Sequence, residues 1–167
     1  MLFHWTVDPI LEHLRLNLTE ISPTQDQNLL RALIRMLDTY LNEFYNAQFL
    51  TQDIKIRHTV IDSYFVMSVV WSLGGSVVTE CRKPFDLFIK KLFALDIKFP
   101  DIKTKKIYVP DRGQIFDYKY ITKAGGTDGQ WVNWNDLIDK SEIISDKLQP
   151  SEIIVKTMDT MRYSFLL

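Results

Sequence analysis

The sequence predicts a mainly α-helical bundle with a small β appendage, an α+β arrangement in which the two kinds of structure are segregated along the chain. Three observations lead there. Up to about residue 98, apolar residues recur at three- and four-residue steps. Between Val60 and Leu73 they cover nearly every helical face, as in a helix at the centre of a bundle. After Gly113, two aromatic-rich runs with period-two alternation flank a short Gly/Asp segment, which is a hairpin pattern.

Each element has its own signal. Asp8-Pro9 predicts the start of a first helix, with Pro at the first helical position and Ile10, Leu11, Leu14 and Leu18 on its apolar side. Ser22 to Thr24 supplies the start signal of a second helix, whose stripe runs through Leu30, Leu33, Ile34, Leu37, Leu41 and Phe44. The third, "IRHTVIDSYFVMSVVWSLGG", is the all-round apolar one. Its Gly74-Gly75 pair predicts a stop through the left-handed conformation. In the fourth, "CRKPFDLFIKKLFALD", Phe85, Phe88, Ile89, Leu92 and Phe93 oppose the lysines, and Pro84 lies in the first turn or kinks it. "FPDIKTKKIYVPDRG" has two prolines and no helical stripe, and reads as an extended link. "QIFDYKYITK" and "QWVNWNDLI" are the hairpin strands, with Phe116, Tyr118 and Tyr120 on one face. "SEIIVKT" reads as a further strand, and "MDTMRYSFLL" as a helix.

Composition bounds the function. In 167 residues, a hydrophobic fraction of 46% is enough for a packed core. A formal net charge of −1 provides no global attraction to nucleic acid or to an anionic membrane. Cys81 is the one cysteine, so no intrachain disulfide can form, and a reducing compartment is expected. No secretory signal is expected at the start, and the Asn17-Leu18-Thr19 sequon then has no meaning. The Val60–Leu73 run is too short to span a bilayer. The expectation is a cytoplasmic chain with neither nucleic-acid nor membrane partners.

No residue pattern forms a convincing catalytic constellation. Lys123 to Trp131, "KAGGTDGQW", lacks the G-x-x-x-x-G-K-[ST] order of a phosphate loop, and no helix pattern follows it, so a turn is the better reading. His4, His13 and His58 stand at no zinc-like spacing, and no metal site is expected. Tyr118, Tyr120, Trp131 and Trp134 are an aromatic cluster that could dock a protein partner or, less well, stack single-stranded nucleic acid. Packing against the rest of the domain is the commoner use of such rings. Trp71, Gly74 and Gly75 could face a ligand, although a buried Trp closing the bundle and a glycine helix stop are the better reading.

Several stretches, in order, resemble the dynein heavy chains, with an axonemal flavour. "LFHWTVDPILEHLRLN" and "ISPTQDQNLLRALIRMLD" are similar to the helices that open the lid of the second AAA+ module. "YFVMSVVWSLGGS" and "CRKPFDLFIKKLF" are similar to its continuation. "GQIFDYKYITKAGGTDGQWVNWNDLI" resembles the hairpin extension, and "SEIIVKTMDTMRYSFLL" the opening strand and first helix of the third module. Two family prolines are replaced, by Asn133 and by Lys156. The resemblance implies a lid over residues 1–98, a linker over 99–112, a hairpin extension over 113–148 and an incomplete next module over 149–167. It implies an ATP-driven microtubule motor as the parent, using ATP/ADP with Mg and sited in the cytoskeleton of the cilium axoneme. This stretch would be a non-catalytic coupler without a cofactor of its own. Partners implied are neighbouring AAA+ modules of the same chain, dynein light and intermediate chains, and microtubules. Met158, Asp159, Thr160 and Arg162 are the implied adenine-side residues, and Trp71, Gly74 and Gly75 the lid-side ones.

Overall fold

The structure, a computed structural model, describes residues 2–45, 47–97, 104–123, 129–138 and 157–166. Its α-helical segments are α1 (Phe3–Asn17), α2 (Asp26–Leu41), the single turn α3 (Ala47–Leu50), α4 (Ile54–Ser72), α5 (Thr79–Ala94) and α6 (Met158–Leu166). Strands β1 (Tyr118–Thr122) and β2 (Gly129–Asn133) pair antiparallel, from Tyr118 opposite Asn133 to Thr122 opposite Gly129. The fold is therefore mainly helical with one two-stranded sheet, as the sequence predicts. No helix among the described residues is long and apolar enough to cross a membrane.

Helix α4 is the axis of the bundle, and Val60 and every residue from Asp62 to Val70 are buried. Its serines satisfy themselves: Ser68 Oγ donates to the carbonyl of Tyr64 at 2.8 Å, one turn back, and Ser72 Oγ does the same to Ser68. Asp62, buried on the same helix, takes the ammonium of Lys105 at 2.7 Å from the extended 104–111 stretch. That stretch is held at its middle by buried Ile107, whose N–H donates to the carbonyl of Phe93 at 3.0 Å. Asp53 caps α4 by accepting from the N–H of Lys55 at 2.7 Å.

Helix starts depart from the sequence expectation. Helix α1 begins at Phe3, so Pro9 lies inside it rather than at its first position. An internal proline costs about 3 kcal/mol. Extending the helix backward buries Trp5 and Val7, each worth about 1.5–3 kcal/mol. The two burials together outweigh the proline. Helix α2 starts at Asp26 without a side-chain cap, because Thr24 is engaged elsewhere: its hydroxyl and N–H bond the Glu20 carboxylate, which Arg15 also pairs. On α2, Leu29 and Leu33 are buried while Ile34 is 55% exposed, so the inward line is rotated one position from the expected stripe. Pro84 falls in the second turn of α5, which starts at Thr79.

The α1–α2 and α4–α5 connections are zipped together. Ile21 N–H donates to Ser76 at 2.8 Å and Val78 N–H to Thr19 at 3.0 Å, flanking a bridge between Glu20 and Val77. His13 of α1 stacks on Phe88 of α5 with ring centroids 3.9 Å apart, and burial lowers its pKa.

Gly74 does not stop α4 through a left-handed turn. It opens a short 3₁₀ segment, Gly74–Ser76, and is required for contact: a Cβ there would sit 2.5 Å from the Phe85 ring and 2.9 Å from that of Phe116. The left-handed cap belongs to α5, at Leu95, where φ is 68°. Among the described glycines, positive φ occurs at Gly113, and Gly129 is an ordinary strand residue. A Cβ on Gly129 would overlap the ring and hydroxyl of Tyr120. The rest of the predicted hairpin loop, 124–128, and the strand expected over 151–156 lie outside the described residues.

Two outcomes follow from this packing. Gly74→Ala is expected to destabilise the chain by about 1–3 kcal/mol, through overpacking against two rings, as read by chemical denaturation. Tyr40, packed against Tyr64 and Phe165, has its phenol pushed up to about 12 by burial, with Tyr64 adding to it. The raised value means that this stabilisation is complete below pH 10 and is lost as pH rises toward 12. Denaturation midpoints across that range should fall further in the parent chain than in Tyr40→Phe.

Candidate functional site

Trp71 and Gly74 lie on one side of a short turn, and Arg162, with Met158 and Asp159, on the other. The 3₁₀ turn Ile115–Asp117 leads from the extended stretch into β1. It is closed by a reciprocal box: Gln114 N–H donates to Asp117 Oδ2 at 2.9 Å, and Asp117 N–H returns to the Gln114 carbonyl at 2.9 Å. Gly113, with φ of 64°, makes the preceding bend.

On the bundle side, Phe116 is seated in an aromatic socket. Trp71 meets it edge-on at 5.8 Å between centroids, and Phe85 lies tilted at 5.8 Å. The Arg82 guanidinium stands 5.5 Å over the same ring, and Gly74 lies beneath. Trp71 and Gly74 thus belong to this socket. A Cβ on Gly75 would meet open space, and nothing ties Gly75 to the cluster.

Helix α5 holds the turn with polar groups as well. Buried Asp86 accepts the N–H of Ile115 at 2.6 Å and pairs with Lys90 at 3.0 Å. Lys90 Nζ also donates to the carbonyl of Gly113 at 2.6 Å.

On the other side, α6 takes hold of Asp117. Arg162, only 6% exposed, donates from Nη2 to Asp117 Oδ1 at 2.8 Å and from Nη1 to Asp159 Oδ1 at 3.1 Å. Its Nη2 also lies 3.2 Å from the Met158 sulfur. Met158, Asp159 and Arg162 are therefore brought together, with Arg162 turned inward. Thr160 faces a different task. Its hydroxyl accepts the N–H of Thr157 at 2.7 Å, while its own N–H donates to the Thr157 hydroxyl at 3.2 Å, a capping pair at the start of α6. Farther along α6, Phe165 contacts Trp134 at 5.6 Å and Tyr40 at 6.0 Å, and Lys119 places its ammonium 3.5 Å from the Phe165 ring centre.

The sequence assigns no part in this site to Asp86, Lys90, Phe116 or Asp117. Asp86 and Lys90 did carry a signal, an (i, i+4) acid–base pair, and so did the Gln114-to-Asp117 box spacing. The aromatic cluster is mostly interior: Tyr120 and Trp134 are buried, and Tyr120 N–H donates to the Met67 sulfur at 3.1 Å. The docking-platform alternative thereby loses its two central rings. Apart from this site, an apolar groove of about 1080 Å³ runs between α1, α2 and α4, lined by Phe3, Leu30, Leu37 and Phe65. No group of side chains that could hold a metal ion occurs among the described residues.

A helical bundle with a small hairpin docked at its flank is the architecture of the described residues, and it fits an AAA lid domain. Residues 1–136 match the family described as Dynein heavy chain AAA lid domain, and the chain belongs to that family. It is 32% identical to dynein axonemal heavy chain 3 of Mus musculus and 31% identical to dynein axonemal heavy chain 12 of Homo sapiens, over 99% of its own length in both cases. Dynein gamma chain, flagellar outer arm, of Chlamydomonas reinhardtii is 23% identical, also over 99%. The chain spans only 3–5% of the length of these relatives.

Trp134→Ala separates packing from docking. We expect a stability loss of about 3–5 kcal/mol in chemical denaturation, as for a buried aromatic, rather than an unchanged melt.

Proposed function

We propose that this region is the lid and coupling segment of a dynein heavy chain motor ring, non-catalytic itself, within an ATP-driven microtubule motor of the cilium axoneme. One observation carries the reading: the 113–117 turn is bonded to α5 on one side and to α6 on the other, so bundle, hairpin and terminal helix pack as one body. A body of this kind transmits rotation instead of absorbing it. The lid over 1–98, the linker over 99–112, the hairpin extension over 113–148 and the start of a next module over 149–167 are its proposed parts. Neighbouring AAA+ modules are its proposed immediate partners, with light chains, intermediate chains and microtubules acting on the parent.

ATP or ADP with Mg belongs, in this reading, to the parent. Met158, Asp159 and Thr160 would face adenine from the α6 side, and Trp71, Gly74 and Gly75 would serve the lid side. Arg162 would help from behind by fixing Asp159, since its guanidinium is already committed inward.

The test is made at two levels. The purified chain should show no magnesium-dependent ATP binding, and tight binding would remove the non-catalytic reading. In the full heavy chain, Asp117→Ala should leave ATP turnover within about twofold while microtubule gliding slows by about half or more. Gliding at the parental speed, with the variant folded, would remove the coupling reading.

A further inference from the structure

We infer that Asp86 and Lys90 of α5 are positioning residues for Arg162 of α6, acting through the 113–117 turn as a rigid spacer. This deepens the coupling role proposed above and is measured without nucleotide or microtubules, so either reading can fail alone.

Asp117 is the residue that α6 grips, and its carboxylate has two oxygens with two separate duties. Oδ1 receives Arg162, and Oδ2 receives the N–H of Gln114. Its orientation is therefore tied to the backbone at residue 114. That backbone is pinned on both flanks by α5: the carbonyl of Gly113 by Lys90, and the N–H of Ile115 by Asp86. Asp86 and Lys90 also bind one another at 3.0 Å, so they form one clamp rather than two. Apolar burial removes the remaining freedom, since Ile115 and Phe116 are both in the core. At Gly113, where φ is 64°, an added Cβ would lie 3.0 Å from Asp117 Oδ2, so a side chain there would strain the bend and press on the carboxylate.

The buried guanidinium gives the spacer its consequence. Arg162 pairs with Asp159 on its own helix and, among the described residues, with Asp117 elsewhere in the fold. Burying a charge of this kind is tolerated only while its partners hold their places. A shift of α5 moves the clamp, the clamp moves residue 114, and Asp117 carries the shift to Arg162. Lys119 and Trp134 anchor Phe165 by a separate route through the strands, so α6 stays docked when the relay is cut. What changes is the stability of its first turns.

Hydrogen exchange of amides 158–166 in the 167-residue chain tests this, using Asp86→Asn, Arg162→Gln and the double variant. The relay requires Asp86→Asn to speed exchange in α6 by about fivefold, and to add nothing further once Arg162 is replaced. Unchanged exchange in α6, or the same factor in both backgrounds, overturns it. If Asp86→Asn abolishes the cooperative melt, Lys90→Met takes its place in the same cycle and is judged by the same results. Gly113→Ala, which removes no charge, should also speed exchange in α6, and its failure to do so counts against the spacer.

Discussion

The seating of Phe116 is the contact on which the placement of the hairpin and of α6 depends. Its ring lies between Trp71 and Phe85, under Arg82 and over the bare Cα of Gly74. Fully burying such a ring contributes about 1.5–3 kcal/mol, and the aromatic edges add to this. Because the residue sits directly before Asp117 and β1, its placement fixes where the hairpin leaves the bundle and where α6 can bond. The polar clamp from α5 would be weak in water. Here the Asp86–Ile115 hydrogen bond is buried and acts in a medium of low polarity, whereas the Lys90–Gly113 bond is exposed.

Much of the fold was legible in the sequence, because the signals concerned were local. The all-round apolar character of Val60–Leu73 required a central helix, and α4 is one. Period-two aromatics on either side of a glycine-rich segment required a hairpin, and β1 and β2 pair in register. What misled was local evidence that has two physical uses. Glycine serves turns and close approach alike; Gly74 and Gly129 are used for approach, under rings contributed by residues far away or across the strand pair. Pro9 signals a start only if nothing upstream gains from being helical, and Trp5 does gain.

The candidate site was legible only in part. Trp71, Gly74 and Gly75 form one sequence-marked group and Met158, Asp159, Thr160 and Arg162 the other; Trp71 and Gly74 lie on one side of Ile115–Asp117 and Arg162, with Met158 and Asp159, on the other, while Gly75 and Thr160 stand apart. The residues between them were not marked, because their importance arises from contacts of long sequence separation. Asp117 and Arg162 are 45 positions apart, and Asp86 and Ile115 are 29 apart. No short-range pattern encodes such pairs. The family relationship added the architecture in which they matter, and packing supplied the chemistry.

The encirclement of α4 also has a consequence for how the chain acquires its structure. Its faces are covered by elements drawn from nearly the whole length of the chain: α2 on one side, the Phe116 turn on another, and Tyr120 reaching Tyr64 and Met67 on a third. Helix α4 can form early, but it cannot be shielded from water until a segment some fifty residues downstream has returned to it. Closing that loop carries an entropy cost that the buried contacts of Phe116 and Tyr120 must offset, so the hairpin completes the covering of the helix rather than decorating a finished bundle.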